Sequence, residues 1–159
     1  MTSRWKPNIT VAAVIEREGR FLLVEEKTAD GLRFNQPAGH LEADESLLCA
    51  VVRETMEETA HPFTPEYLVG VYLWPRPNSD VTYLRFAFAG RIGEADPSRA
   101  LDEVIVRTVW MTLEELRATR ARHRNPLVLQ CVEDWLAGRR CGLEMLRHYH
   151  YDCDNGDPP

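Results

Sequence analysis

GHLEADESLLCAVVRETMEETAH, residues 39–61, is the most informative stretch of the chain. Residues 46–60 contain neither glycine nor proline, and Leu48, Val51, Val52, Thr55 and Thr59 fall on one side at about 100° per residue, which predicts a helix. Glu54, Glu57 and Glu58 are three and four residues apart, so such a helix gathers them on one face within an arc of about 100°. Carboxylates about 6 Å apart repel by about 2–3 kcal/mol per pair at an effective dielectric near 20. A hard divalent cation turns that repulsion into coordination, because Mg²⁺ or Mn²⁺ takes oxygen ligands and keeps its other positions for water and phosphate. Arg53 stands four residues before Glu57 and can hold that carboxylate, with Glu45 available as a partner for Arg53. The competing reading of an isolated Glu-x-x-Glu-Glu is a solvated helix face.

Around this helix the chain reads mainly as strands. Residues 9–15 are nearly all apolar or β-branched, as in a strand buried on both faces, and the turn at Glu18-Gly19 leads to a second run at 21–24, giving a hairpin. Residues 33–36 are extended, since Gln36 precedes Pro37, and Gly39 permits a tight turn. Strands are expected at 67–74, 81–89 and 104–110. In the second of these Leu84, Phe86 and Phe88 should face the core, with Tyr83 and Arg85 in the other phase. Thr112 and Glu115 form a capping-box signature for a helix reaching about Arg122, and Asn125-Pro126 opens another that ends at Gly138. Trp135, Leu136, Leu127 and Val128 would be the docking face of that last helix. The order implies an α/β sandwich with a mixed sheet.

Length and composition set bounds. One hundred and fifty-nine residues suit one domain, expected at 8–150 after a lead of 1–7, with a disordered polar tail at 151–159. Twenty-five Asp and Glu against 19 Lys and Arg leave no basic footprint for a nucleic-acid polymer. No apolar run approaches the roughly 20 residues of a membrane-spanning helix, and the N-terminus has no signal-peptide h-region. The four cysteines have no paired spacing and are too sparse for a disulfide scaffold, so reduced thiols and a cytoplasmic location are expected. His148, His150 and Cys153 have the residue types of zinc ligands, but a polar tail explains them more simply.

Gly39, five residues, Glu45, seven residues, Arg53-Glu54, two residues and Glu57-Glu58 resemble the Nudix box at its first glycine and all its fixed charged positions. At about 6 % average usage per residue, six such matches arise by chance on the order of once in 10⁷ windows. Ala60 and His61 depart from it, standing where the family usually has glycine and an aliphatic residue. Alanine there shifts the helix end or costs about 1 kcal/mol. His61 is either an acid or base near the site or a plain loop histidine. FNQPAGHLEADE, TYLRFAFAG, NPLV and GLEM extend the resemblance to the NudJ-type branch of bacterial Nudix phosphatases over most of 8–147.

The resemblance implies an α/β/α Nudix sandwich that hydrolyses phosphoanhydride bonds of small phosphorylated molecules, as a monomer or homodimer. The branch implies nucleoside di- and triphosphates and hydroxymethylpyrimidine diphosphate as substrates, with release of orthophosphate. The implied metal ligands are Glu54, Glu57, Glu58 and the Gly39 carbonyl, binding Mg²⁺ or Mn²⁺ so that a bound water is activated for in-line attack. General-base candidates are Glu57, Glu54 and Glu103; for Glu103, beside Asp102, an exposed turn acid is an equal reading. Phe34 and Trp74 are candidates for stacking on a substrate ring, with core packing as the alternative for Phe34. Arg85 either grips phosphate or makes a salt bridge on a solvated face, and Arg33 and Gln36 are weaker candidates of that kind. The rivals are a pyrophosphate-releasing nucleoside triphosphate hydrolase, a non-catalytic Nudix-fold sensor, and a structural protein with an acidic helix.

Overall fold

The computed structural model describes residues 4–149. His150, Cys153 and the tail expected to be disordered lie outside the described residues. In chain order the elements are β1 (Asn8–Val14), β2 (Glu16–Arg17), β3 (Arg20–Thr28), β4 (Gly31–Asn35), β5 (Ala38–His40), α1 (Leu47–Thr59), β6 (Phe63–Pro75), β7 (Thr82–Ile92), β8 (Ile105–Thr112), α2 (Leu113–Ala118), α3 (Leu127–Leu136) and β9 (Cys141–Gly142). One sheet runs β5-β1-β7-β6-β9 and is mixed, because β1 and β7 are parallel while its other pairs are antiparallel. In a second, antiparallel sheet β3 pairs with β2, β4 and β8. The β2–β3 hairpin turns on Glu18 and Gly19, both at positive φ, as a two-residue hairpin turn requires.

Two apolar clusters hold the layers together. Val11, Ala13, Ala50, Val51, Phe63 and Phe88 join α1 to one face of the mixed sheet. On the other face Val14, Ala87 and Ala89 meet Phe21 and Leu23 of β3, Leu116 of α2 and Val128 and Val132 of α3. β7 is therefore covered on both sides, and its alternation does not separate core from solvent. Phe88 is fully buried as expected, but Leu84 and Phe86 are only half-buried, whereas Arg85, Ala87 and Ala89 in the opposite phase are buried.

Other expectations shift. Gly39 makes no turn; it lies within β5, paired with Val11. The capping box at Thr112 and Glu115 is present, but α2 stops at Ala118 and a short 3₁₀ turn at Arg120–Arg122 replaces the rest of the expected helix. Asn125 Oδ1 accepts from the Leu127 N–H at 2.9 Å at the start of α3. Leu136 is exposed rather than docked, and Trp135 is half-buried with its Nε1 donating to Glu16. Cys131 and Cys141 are free thiols, the first buried and the second exposed.

Candidate active site

α1 begins at Ser46, whose Oγ accepts from the Cys49 N–H at 3.0 Å. The residues it buries, Ala50, Val51, Glu54, Thr55, Glu58 and Thr59, form one stripe. That stripe is apolar where α1 packs on the sheet and becomes carboxylate where it passes β5, so the acidic face is not a solvated one. Arg53 ties the remaining oxygens together. Its Nε and Nη2 donate to the two oxygens of Glu45 at 3.1 and 2.7 Å, and its Nη1 donates to Glu54 at 2.8 Å and Glu57 at 3.1 Å. Nη2 also donates to the His40 carbonyl at 3.0 Å, which fastens the helix to the end of β5. Burial pushes the Glu45 carboxyl up, but the Arg53 hydrogen bond, the Glu42 N–H and the Arg53 charge outweigh it and hold the group below its ordinary pKa.

Glu58 is in the opposite situation. It is 5 % exposed, and its Oε2 accepts from the Ala38 N–H at 2.9 Å. Burial pushes its carboxyl up to about 9, and the charges of Glu54, Glu26 and Asp102 push in the same direction. Glu54 is also raised by burial, only partly offset by Arg53. At Gly39 a Cβ would stand 2.1 Å from the Glu54 carboxylate, so glycine is what lets this side chain lie against the β5 backbone. Buried carboxylates short of positive charge, beside the backbone of a short edge strand, are a donor set that fits a hard divalent cation. Among the described residues no three His, Cys, Asp or Glu side chains converge into a ready-made metal group, and Arg53 bridges Glu54 and Glu57 instead.

Beside this cluster opens a cleft of about 270 Å³. Ala38, Gly39 and His40 form one edge, and Thr10, Arg85, Tyr83 and Trp74 come from the mixed sheet. The second sheet contributes Glu26, Thr28, Arg33 and Asn35, and Arg76, Arg124 and Asn125 come from loops. Arg85 is 5 % exposed, and its guanidinium donates to Gln36 Oε1 at 3.3 Å and Asn35 Oδ1 at 3.5 Å. Burial holds it below its ordinary pKa. Trp74 stacks on Tyr83, with centroids 5.8 Å apart and planes 19° apart.

The match of a NUDIX domain model to residues 5–131 decides the family. The chain belongs to the Nudix family. It is 36 % identical over 152 residues to phosphatase NudJ of Escherichia coli strain K12, covering 96 % of this chain and 98 % of that protein. Among solved structures, a Nudix hydrolase from Nitrosomonas europaea superposes with a TM-score of 0.88 at 51 % identity, covering 91 % of this chain and 98 % of that one. A MutT Nudix hydrolase from Burkholderia pseudomallei shares the fold, with a TM-score of 0.66 at 22 % identity over 80 % of this chain and 99 % of that one.

The protein is thus a Nudix hydrolase, of a family that cleaves phosphoanhydride bonds with a divalent metal ion. Its two departures from the Nudix box are structurally mild. Ala60 adopts the left-handed conformation itself, with φ 58°, and its N–H donates to Met56 at 2.9 Å, so α1 ends in place at a cost of about 1 kcal/mol. His61 Nδ1 lies 2.8 Å from the Gly93 carbonyl, which ties it to the end of β7.

Of the residues singled out from sequence, Arg85, Trp74, Arg33 and Gly39 line the cleft; Glu45, Arg53, Glu54 and Glu57 form the network beside it, and Glu58 adjoins it on the Ala38 N–H. Phe34 does not serve as a stacking platform: it is 2 % exposed, with the Arg122 guanidinium 4.4 Å over its ring. Gln36 is 1 % exposed and donates to the Val128 carbonyl at 2.6 Å, so it positions Arg85 and leaves no group for a substrate. Glu103 is exposed; of the two neighbouring acids it is Asp102 whose charge reaches Glu54 and Glu58, and whose N–H donates to the Glu57 carbonyl at 3.0 Å. Sequence reasoning missed Thr10, Glu26, Tyr83, Arg76 and Arg124. Only Tyr83 carried a usable signal, since it shares the phase of Arg85.

Proposed function

We propose that this Nudix hydrolase removes orthophosphate from nucleoside di- and triphosphates or from hydroxymethylpyrimidine diphosphate, using Mg²⁺ or Mn²⁺. The observation that carries the reading is a cleft with an arginine side formed by Arg33, Arg76, Arg85 and Arg124 and an aromatic wall of Trp74 and Tyr83, whose β5 edge at Ala38–Gly39 adjoins the α1 carboxylates Glu54 and Glu58. A small phosphorylated molecule with a ring is complementary to all three, and the volume lies at the lower end for ligand sites. Likeness to phosphatase NudJ over nearly the whole chain supports orthophosphate as the product.

In this reading Glu54, Glu57, Glu58 and the Gly39 carbonyl hold the cation. When bound, it would neutralise phosphate oxygens and lower the pKa of water. Arg85 and Arg124 bind phosphate oxygens and orient the anhydride. Glu57, the most exposed of the three helix carboxylates, takes the proton of the attacking water on a carboxylate oxygen. Arg53 holds Glu57 in place for that task.

Phosphate and pyrophosphate release by the wild type and Glu57→Gln tests this across nucleoside di- and triphosphates and hydroxymethylpyrimidine diphosphate, with Mg²⁺ and with EDTA. The expected result is orthophosphate from the wild type, its loss in EDTA, and a fall of about 10²–10⁴-fold in the variant. Pyrophosphate as the product would overturn the proposed bond specificity. No turnover of any substrate would favour a ligand sensor.

A further inference from the structure

Thr10 lies on β1, between β5 and β7 of the mixed sheet and within an apolar run, and is 7 % exposed. Among the described residues, its Oγ1 and His123 Nδ1 are the buried side-chain polar atoms without a hydrogen-bond partner. Only Thr10 of the two lines the cleft. A buried hydroxyl left unpaired costs stability. Valine would fill the same place in a strand at no such cost, so strand formation does not account for the oxygen.

Its surroundings say what the oxygen can meet. Thr10 pairs with His40 on β5 and with Arg85 on β7, and directly paired residues present their side chains on the same face of a sheet. Two residues along β7 on that face is Tyr83, which pairs with Trp74 and stacks on it. The His40 ring lies 6.3 Å from the Tyr83 ring. The hydroxyl therefore sits at the foot of an aromatic wall, between a histidine and a buried arginine. The anionic end of a substrate is already served by the arginines and by the cation that the carboxylates beside the cleft would hold. A neutral group that both donates and accepts suits the nitrogen and oxygen edge of a heterocycle better than a phosphate.

We propose that Thr10 Oγ1 hydrogen-bonds the polar edge of a nucleobase-like heteroaromatic ring that lies against Trp74 and Tyr83, making Thr10 a specificity-determining residue for ring-bearing diphosphates. This rests on the phosphoanhydride-hydrolase reading of the cleft. Because the oxygen is unpaired in the free protein, its removal weakens the substrate complex and strengthens the fold at the same time.

The test compares wild type, Thr10→Val and Thr10→Ser. It measures kcat and KM for a purine and a pyrimidine nucleoside diphosphate, the inhibition constant of inorganic pyrophosphate, and the melting temperature. In Thr10→Val, KM rises about 3–10-fold for at least one nucleotide, the pyrophosphate constant stays unchanged, and the melting temperature rises by about 2–4 °C. Thr10→Ser keeps the wild-type KM. An unchanged KM in Thr10→Val overturns the proposal, as does a matching rise in the pyrophosphate constant, which would place the hydroxyl on phosphate. A fall in melting temperature would make the hydroxyl structural and also overturn it. A wild type that turns over no nucleotide would overturn the functional reading itself, whereas active enzyme with an unmoved KM would sink only the role of Thr10.

Discussion

Arg53 on α1 and Arg85 on β7 are both drawn from water, and their partners are opposite in kind. Arg53 is met by the carboxylates of Glu45, Glu54 and Glu57, which raise its pKa above the ordinary arginine value. Arg85 is more deeply buried, and its hydrogen bonds go to the amide oxygens of Gln36 and Asn35. Cys131 and, less strongly, Glu26 favour its charge, and Glu26 is itself paired with Arg124 at 3.6 Å. A buried cation saturated by anions is part of the framework, and breaking such a set strands its partners. One whose hydrogen bonds go to neutral groups and whose nearby acid is shared with another arginine is short of a counter-ion, and an incoming phosphate supplies it.

The same substitution at the two positions should therefore act differently. Arg53→Met leaves three carboxylates without their cation and should destabilise by about 3 kcal/mol, seen as a melting temperature lower by about 6–12 °C, with activity falling too. Arg85→Met should lower the melting temperature by only about 2–4 °C, because removing a desolvated charge offsets part of the cost of leaving the amide oxygens of Gln36 and Asn35 without a donor. Its kcat/KM for a phosphorylated substrate should nonetheless drop about 10–100-fold. Equal thermal losses in the two variants would erase the contrast between framework and binding arginine.

Glu25 sharpens the comparison from the acid side. It is buried on β3, where Arg107 donates to it at 2.6 Å and Arg122 donates to its other oxygen. The hydrogen bond from Arg107 leads in lowering its pKa below 4.5. A depressed carboxylate contributes stability above its unfolded pKa and loses it as pH falls through the folded value. Glu25→Gln should therefore cost about 1 kcal/mol at neutral pH, and the gap in melting temperature from wild type should close as pH falls below 4.5. A gap that persists in acid would show that Glu25 acts through packing rather than charge.

The acidic half of the site was legible because a helix converts spacing directly into geometry. Three and four residues put Glu54, Glu57 and Glu58 on one face, and four put Arg53 under Glu57, whatever the rest of the chain does. Strand phase was less decisive. The alternation along β7 marked Arg85 and Tyr83 as a set, but β7 is covered on both faces, so the pattern did not show which set meets the cleft. Phe34 and Gln36 were drawn into the core by Arg122 and by Val128 of α3, partners 88 and 92 residues away.

By itself, then, the sequence determined the helix, its carboxylate face, the Arg53 clamp, the hairpin at Glu18-Gly19 and the family, because each depends on contacts within a few residues or on fixed spacing. Only the tertiary structure decided that Gly39 makes room for Glu54 rather than for a turn, that Asp102 rather than Glu103 is felt by the cluster, and that Arg76 and Arg124 reach the cleft with Arg33 and Arg85. It also left Thr10 without a partner. These outcomes depend on which strands pair and at what register, and pairing between distant segments is settled by burial of the whole core rather than by any local pattern.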